Sequence, residues 1–380
     1  MRARLKPLDQ QVIVITGASS GIGLATARKA AKAGAAVVLA ARNEEALRAV
    51  CAEINAAGGR AHAVTADVGD AQDVEKIARA AIARFGGFDT WVNDAGVGIF
   101  AELTETPLED HAQLFRTNYF GVVNGSVEAA KHLADKPGGG AVINVGSVLS
   151  DFGVPILGAY AASKHAVKGF TESLRMELQR HRSPVSVTLI KPSGINSPFA
   201  DHARNYMDKA ARVAPPVYAP EVVADAILYA AQRPVRTLTV GSGGRQMSLT
   251  AALAPHLADR LFGATFPPFS RRRGQKTASD NLYAPAEDGR VATPNFRGRR
   301  FSVYTAARKR PALALGLGAF ALGVAAAWLG RRQLSAAARP LLARTMRPLA
   351  GQAVRRRPIA AARYALRHPR QTLQLARALR

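Results

Sequence analysis

Seven short runs rich in Val, Ile and Ala recur along the first 240 residues, and longer stretches with helical periodicity separate them. The runs are Gln11–Thr16, Ala36–Ala41, Ala61–Ala66, Thr90–Asn93, Ala141–Val145, Ser186–Lys191 and Arg236–Val240. Helix-like stretches include Gly21–Ala33, Glu44–Ala57, Ala71–Arg84 and Ala159–Arg180. Strands this short and continuously apolar are buried on both faces. Parallel neighbours need a crossover of a dozen or more residues, usually a helix. The alternation therefore predicts an α/β fold, a doubly wound, mostly parallel seven-stranded sheet with helices on both faces.

Composition narrows the class further. With 48% hydrophobic and 21% charged residues, the chain is too apolar to be wholly disordered. The single cysteine, Cys51, excludes an internal disulfide framework and a cysteine-rich zinc site, and it fits a reducing compartment. His62, His111 and His165 have no metal-ligand spacing, so no metal is expected. Met1 to Gln10 is basic and lacks an apolar core, so no secretion signal is expected.

Thr16-Gly17-Ala18-Ser19-Ser20-Gly21-Ile22-Gly23 follows the first expected strand and opens a helix. Glycines there permit a tight turn and close approach of a pyrophosphate, and the helix N-terminus offers N–H groups and a positive dipole end. The spacing is G-x-x-x-G-x-G, unlike the G-x-G-x-x-G of many dinucleotide folds. Ala40-Ala41-Arg42-Asn43 ends the second run without an acid that could hold a ribose 2′-hydroxyl. Arg42 could instead meet a 2′-phosphate, so NADP is favoured, with NAD an alternative.

Tyr160 and Lys164 lie four residues apart, one helical turn, so both side chains leave the same face. A phenol near pKa 10 is a poor acid–base catalyst at neutral pH, and a neighbouring ammonium would favour its phenolate. Ser147 follows the strand Ala141–Val145 and could donate to a substrate oxygen.

With these motifs in order, the chain resembles the short-chain dehydrogenase/reductase family over roughly residues 8–245. The resemblance rests on TGASSGIG at 16–23, Asp67-Val68, Asn93-Asp94-Ala95-Gly96, Asn118, Ser147, Tyr160 with Lys164, and Pro192-Ser193-Gly194-Ile195. It implies a Rossmann-type fold and an oxidoreductase that interconverts a carbonyl and a secondary alcohol. Tyr160 would be the acid–base residue. Lys164 would bind the nicotinamide ribose and depress the pKa of Tyr160. Ser147 would orient the substrate oxygen, and Asn118 would support a proton relay to Lys164. Cofactor contacts would come from Gly17, Ser19, Ser20, Gly21, Ile22, Gly23, Arg42, Asp67, Val68, Asn93, Ala95, Gly96, Tyr160, Lys164, Pro192 and Ile195. Asn93 would lie beside the adenosine ribose and Ile195 would face the nicotinamide. Three departures are Asp94 where a second Asn is usual, Ser193 where Gly is usual, and Ser20 where NADP-using relatives often carry a base. The resemblance puts the substrate region at about Ser197–Pro220, with His202, Arg204, Tyr206, Met207, Lys209 and Pro215-Pro216; a mobile lid is one reading, and for any single residue ordinary packing with solvated charges is the other.

The formal charge of +25 is unevenly placed: residues 271–380 hold 24 of the 52 Lys and Arg but only three of the 27 acids. The expected organisation is a catalytic domain over 1–262, a flexible basic linker over 263–310, a hydrophobic helix over 311–330 and a basic helical tail over 331–380. The segment Pro311–Gly330 is uncharged and bracketed by Arg308, Lys309 and Arg310 before it and Arg331 and Arg332 after it. Twenty helical residues span about 30 Å, the hydrocarbon thickness of a bilayer. Trp328 suits an interface position, and Ala319, Gly323 and Ala327 repeat at four-residue spacing. The expectation is a cytoplasmic catalytic domain associated with a membrane through this segment, spanning or re-entrant. A homo-oligomer is expected, and nucleic acid is not. Two other readings stay open: a catalytically silent nucleotide-binding module whose tail binds nucleic acid, or a soluble enzyme whose tail builds an oligomer interface. The tail has little aromatic interleaving for stacking on single strands.

The tail reading has a direct test. Salt at 1 M screens exposed charges within about 3 Å, so polybasic attraction alone is lost there, whereas an inserted apolar helix is unaffected. The full-length protein is expected to stay in the membrane fraction after a 1 M salt wash and to be released by detergent. Release by salt alone would leave a peripheral tail as the better account.

Overall fold

The computed structural model describes residues 3–274, 280–286, 288–294 and 298–309. The hydrophobic segment 311–330 and the basic tail 331–380 lie outside them. Among the described residues, no helix is long and apolar enough to cross a membrane.

The seven expected runs form seven strands of one sheet. They are β1 (Val12–Thr16), β2 (Ala36–Ala41), β3 (Arg60–Thr65), β4 (Thr90–Asn93), β5 (Gly140–Val145), β6 (Val185–Pro192) and β7 (Thr237–Val240). All pairings are parallel, in the spatial order β7-β6-β5-β4-β1-β2-β3. Strand side chains alternate between faces, and the two faces collect separate apolar clusters. Ile13, Ile15, Val37 and Leu39 point to one, with Leu24, Leu47 and Ile227. Val14, Val38 and Trp91 point to the other, with Val74, Ile77 and Leu133. Every residue of β5 and β6 is buried, which is why these strands read as unbroken apolar runs.

The helices that cover the sheet start and stop on local signals. Asn43 caps α2 (Glu44–Ala56) by accepting from the Ala46 N–H at 3.0 Å. Asp70 caps α3 (Ala71–Phe85) by accepting from Gln72 at 2.8 Å, and Gly86 ends that helix in the left-handed conformation. The first crossover helix, α1 (Gly21–Lys32), follows Ser20, whose side chain makes no cap bond. Its first-turn N–H groups are thus left for other partners.

Strand order reverses between β1 and β4, the two neighbours from which the chain departs in opposite directions. Crossovers diverge there, and the carboxyl ends of the strands open into a crevice. Helices α4 (Leu108–Phe115) and α5 (Gly121–Ala134) and the long α6 (Gly158–Arg180) cover one flank of that crevice.

The catalytic unit extends past the expected boundary at residue 262. Three further helices follow β6 and β7: α7 (Pro220–Gln232), α8 (Ser242–Leu253) and α9 (Pro255–Phe269). The boundary falls inside α9, where Ala258, Phe262 and Phe266 are buried against Phe152 and Met207. The stretch expected as a flexible linker is also fastened, wherever it is described. Leu282 is fully buried, and Arg299 exchanges backbone hydrogen bonds with Val217 and Ala219. A last helix, α10 (Val303–Lys309), brings the Thr305 hydroxyl within 3.1 Å of the Gly241 N–H. These apolar and backbone anchors are too sparse to register as a sequence periodicity.

Candidate active site

The site begins where β1 must turn into α1. Gly17 has φ +69°, and a Cβ there would lie 2.8 Å from the Ala95 Cα. A Cβ on Gly23 would collide with the Gly17 carbonyl oxygen. Only glycine lets the turn fold this tightly against the loop after β4. The Thr16 hydroxyl ties the two loops together, donating to the Val92 carbonyl and accepting from the Asp94 and Ala95 N–H groups at 3.2 and 3.3 Å.

One crevice of about 270 Å³ runs from this turn to the start of α6. Gly17, Ser19, Ser20, Gly21, Ile22, Arg42, Asp67, Val68, Ala95, Gly96, Ser147, Tyr160, Lys164, Pro192 and Ile195 all line it. Three expected residues stand behind the wall instead. Gly23 packs against Gly17. The Asn93 amide is consumed within the sheet, accepting from Trp91 Nε1 at 2.8 Å and donating to Asn144 Oδ1 at 2.8 Å and Ser126 Oγ at 3.1 Å. That side chain fixes neighbouring strands. Asn118 is fully buried in a π-helical turn, Arg116–Phe120, between α4 and α5. Its amide accepts from the Val97 N–H at 2.8 Å and donates to the Val97 carbonyl at 3.0 Å and to Ser163 Oγ at 3.1 Å. Such π-turns are frequent at functional sites, and this one turns Asn118 onto the loop that carries Gly96.

Tyr160, Lys164 and Ser147 converge in the middle of the crevice. Lys164 Nζ donates to the Val145 carbonyl at 2.9 Å and lies 5.6 Å from the centre of the Tyr160 ring. Burial lowers the ammonium to about 8, although the Asp94 carboxylate pulls it back up. Burial pushes Asp94 up to about 7, against the lowering effects of Lys164 and a hydrogen bond from the Gly23 N–H. Tyr160 moves above its ordinary value: burial raises it most, Ser147 lowers it, and Asp94 raises it again. The sequence reading expected Lys164 to depress the phenol, and the net direction here is upward. Burial outweighs the Ser147 hydrogen bond, and the charge at Asp94, where an Asn is usual in the resembled family, adds to it.

Beyond Tyr160 the crevice changes character. Phe100, Leu149, Phe152, Leu157, Phe199 and Phe266 line this end, and the Tyr160 and Phe199 rings are 5.1 Å apart. Val213, Ala214 and the Pro215-Pro216 pair close it from the segment expected as a lid. Arg204 and Tyr206, from that same segment, face away and bind Asp110 at 3.4 and 2.7 Å.

At the opposite end the crevice has a wall the sequence reading missed. Asn281, Pro285, Ala286 and Asp288 line it together with Arg42 and Asn43. Arg42 donates to the backbone carbonyls of Asn281, Leu282 and Tyr283, the last at 3.2 Å. No helix or strand pattern marks residues 280–294, and the only signals there are Leu282 and Tyr283 amid polar residues.

A family model described as short chain dehydrogenase matches residues 11–208. The uncharacterized oxidoreductase YxnA of Bacillus subtilis is 45% identical over 314 residues, covering 82% of this chain and 88% of that protein. A match of that length on a chain of 380 residues necessarily runs through residues 280–309. A putative ketoacyl reductase of Streptomyces coelicolor is 35% identical over 201 residues, 52% of this chain and 76% of that protein. Among solved structures, a short chain dehydrogenase/reductase from Burkholderia phymatum in complex with NAD is similar at a TM-score of 0.61 and 28% identity. It covers 67% of this chain and 96% of its own.

The carboxylate at Asp94 has a measurable consequence. Its charge holds the Tyr160 phenol up, so removing it lowers that pKa. In alcohol oxidation the phenolate is the active form, and activity falls off on the acid side of its pKa. Asp94→Asn is therefore expected to move the acid limb of the kcat/KM profile for alcohol oxidation to lower pH. A limb that stays in place, or moves up, would show that Asp94 does not bear on Tyr160.

Proposed function

The chain belongs to the short-chain dehydrogenase family, and on that premise we propose that it is an NADP-preferring oxidoreductase interconverting a carbonyl and a secondary alcohol on a lipophilic substrate. The observation that carries the reading is the position of Tyr160, Ser147 and Lys164, at the junction of a glycine-lined half and an apolar half of one crevice. The first half suits a dinucleotide. The second offers an aromatic and aliphatic surface to a substrate with little charge.

A nicotinamide dinucleotide supplies the hydride, which is cofactor chemistry. The chain supplies position and proton transfer. Gly17 and Gly21 keep the turn clear of side chains, and the positive end of the α1 dipole favours the pyrophosphate. Asp67 and Val68 take the adenine end, and Pro192 and Ile195 the nicotinamide end. Ser147 Oγ donates to the substrate oxygen and holds it against the Tyr160 hydroxyl. In reduction the Tyr160 hydroxyl would give its proton to that oxygen, and in oxidation the phenolate would take the alcohol proton back, the oxidised dinucleotide being the acceptor for the hydride. Lys164 supplies the ammonium that stabilises the phenolate. Asn118, locked onto Val97 and Ser163, supports proton exchange on the far side.

The preference for NADP rests on Arg42. Its guanidinium is held by three uncharged carbonyls, so its full charge is fixed at the end of β2, the position where a 2′-phosphate lies in folds of this topology. Attachment to a membrane is assigned to residues 311–330. The name of the ketoacyl reductase relative agrees with a carbonyl substrate, and the apolar end of the crevice favours a lipophilic one.

Two substitutions test this reading. Tyr160→Phe keeps the ring and removes the transferable proton. Turnover is expected to fall at least about a hundredfold with dinucleotide binding nearly kept, and full activity would refute the assignment. Arg42→Asp is expected to weaken NADP binding by about 1.5–3 kcal/mol, the scale of a charge-assisted hydrogen bond. NAD binding should change less. Calorimetric titration with both dinucleotides decides it, and equal weakening would remove Arg42 as the discriminator.

A further inference from the structure

We propose that the stretch described at residues 280–286 and 288–294 is a strap that closes the adenosine end of the cofactor crevice and gates dinucleotide entry and exit. This rests on the reading that the crevice binds a nicotinamide dinucleotide.

The strap is fastened on both sides of the crevice mouth. At its start, Asp280 pairs with Arg204 at 2.9 Å, and the Tyr283 hydroxyl donates to Asp110 at 2.8 Å. Between them Leu282 is fully buried among Val97, Ile99 and Leu114. Next the strap crosses the end of β2, where Arg42 donates to its carbonyls and Asn43 Nδ2 donates to the Ala286 carbonyl at 3.1 Å. It then reaches the glycine turn. The Gly289 N–H donates to the Ser19 carbonyl at 2.8 Å, and the Gly21 N–H donates to the Arg290 carbonyl at 2.9 Å. Finally, the Thr293 hydroxyl donates to the Ser197 carbonyl at 3.1 Å, on the segment after β6.

Two of these bonds fall on the phosphate-binding turn itself. The Gly21 N–H opens α1 and is one of the donors a helix N-terminus leaves without an intrahelical partner. Here the strap supplies its acceptor. Bonded at once to Asn43, Ser19 and Gly21, the strap spans the gap between the end of β2 and the glycine turn. The adenosine phosphates have to pass that gap on the way in or out. Its own Asn281, Pro285, Ala286 and Asp288 face the crevice, so the same segment that blocks the mouth completes the wall. Its described anchors are one fully buried leucine, the half-buried Val291 against the core, the Asp280–Arg204 and Asp288–His202 pairs and isolated hydrogen bonds. A segment held this way opens locally without unfolding the sheet beneath it.

Asp280 and Tyr283 anchor the strap from outside the crevice, which makes them the substitutions of choice. The full-length protein and its Asp280→Ala/Tyr283→Phe and Leu282→Ser variants are loaded with NADPH, and release is followed by stopped-flow fluorescence on a chase of excess NADP. Release is expected to be at least about tenfold faster in the variants, with capture of NADPH faster as well. In the wild-type protein, NADPH is expected to slow amide hydrogen exchange in the peptide covering 280–294, a readout that depends on no substitution. Binding with unchanged release in both variants, or unchanged exchange in that peptide, overturns the gate and leaves the cofactor reading standing. Failure of wild-type protein to bind either NADPH or NADH overturns the cofactor reading, and the gate with it.

Discussion

The site depends on the close passage of two backbone loops at the point where strand order reverses. The turn after β1 and the loop after β4 approach until a single Cβ at Gly17 would touch the Ala95 Cα. Thr16 bridges them through three hydrogen bonds. That contact sets how far α1 stands from the sheet and therefore where its N-terminal amides point. It also places Asp94 and Gly96 beside Lys164, because the same loop continues to the Val97 backbone that Asn118 grips from behind. A glycine turn selected for phosphate approach and a catalytic cluster on another helix are thus two ends of one packed backbone junction.

The same junction concentrates ionisable groups where water is scarce. Lys164, Asp94 and Tyr160 all shift in the direction burial dictates, the first downward and the other two upward. Each charge matters more to its neighbours than it would in water, since the local dielectric is low. Replacing the usual Asn by Asp94 therefore changes proton affinity at a tyrosine outside its own loop. Asp94 itself lines the crevice beside Ala95 and Gly96.

The sheet was legible because its strands are buried on both faces, so apolar runs and strands coincide to within a residue at most ends. The glycine turn, Ser147, Tyr160 and Lys164 were legible because their spacing follows from local geometry: one turn of helix, one strand end, one strand-to-helix turn. Asn93 is placed differently from its neighbours. Its sequence neighbours Asp94, Ala95 and Gly96 do serve the loop, but it is the last residue of β4, and its amide is spent on Trp91, Asn144 and Ser126. Nor does spacing show that burial and the Asp94 charge push the Tyr160 phenol upward. The strap was invisible because it has no periodicity. Its attachment rests on one fully buried leucine, on isolated side-chain bonds from Asp280, Tyr283 and Thr293, and on backbone carbonyls, which any residue type carries.

The strap also bears on how this chain selects its cofactor. On the proposed NADP reading, Ser20 stands where a basic residue would otherwise help hold a 2′-phosphate, and Arg42 is the cation proposed for that task. An arginine at a strand end has many rotamers, and fixing it costs side-chain entropy of about 1.5–2 kcal/mol. Here three carbonyls from residues 281–283 hold the guanidinium in place, and none of them brings a negative charge that would compete with a phosphate. The chain thus orders its one cationic determinant with a segment about 240 residues away in sequence. On the proposed reading, opening the strap to release a dinucleotide would free Arg42 at the same moment. A chain cut off after α9 would keep Tyr160, Lys164 and Ser147 in place, but it would lose both the clasp over the adenosine end and the carbonyls that aim Arg42.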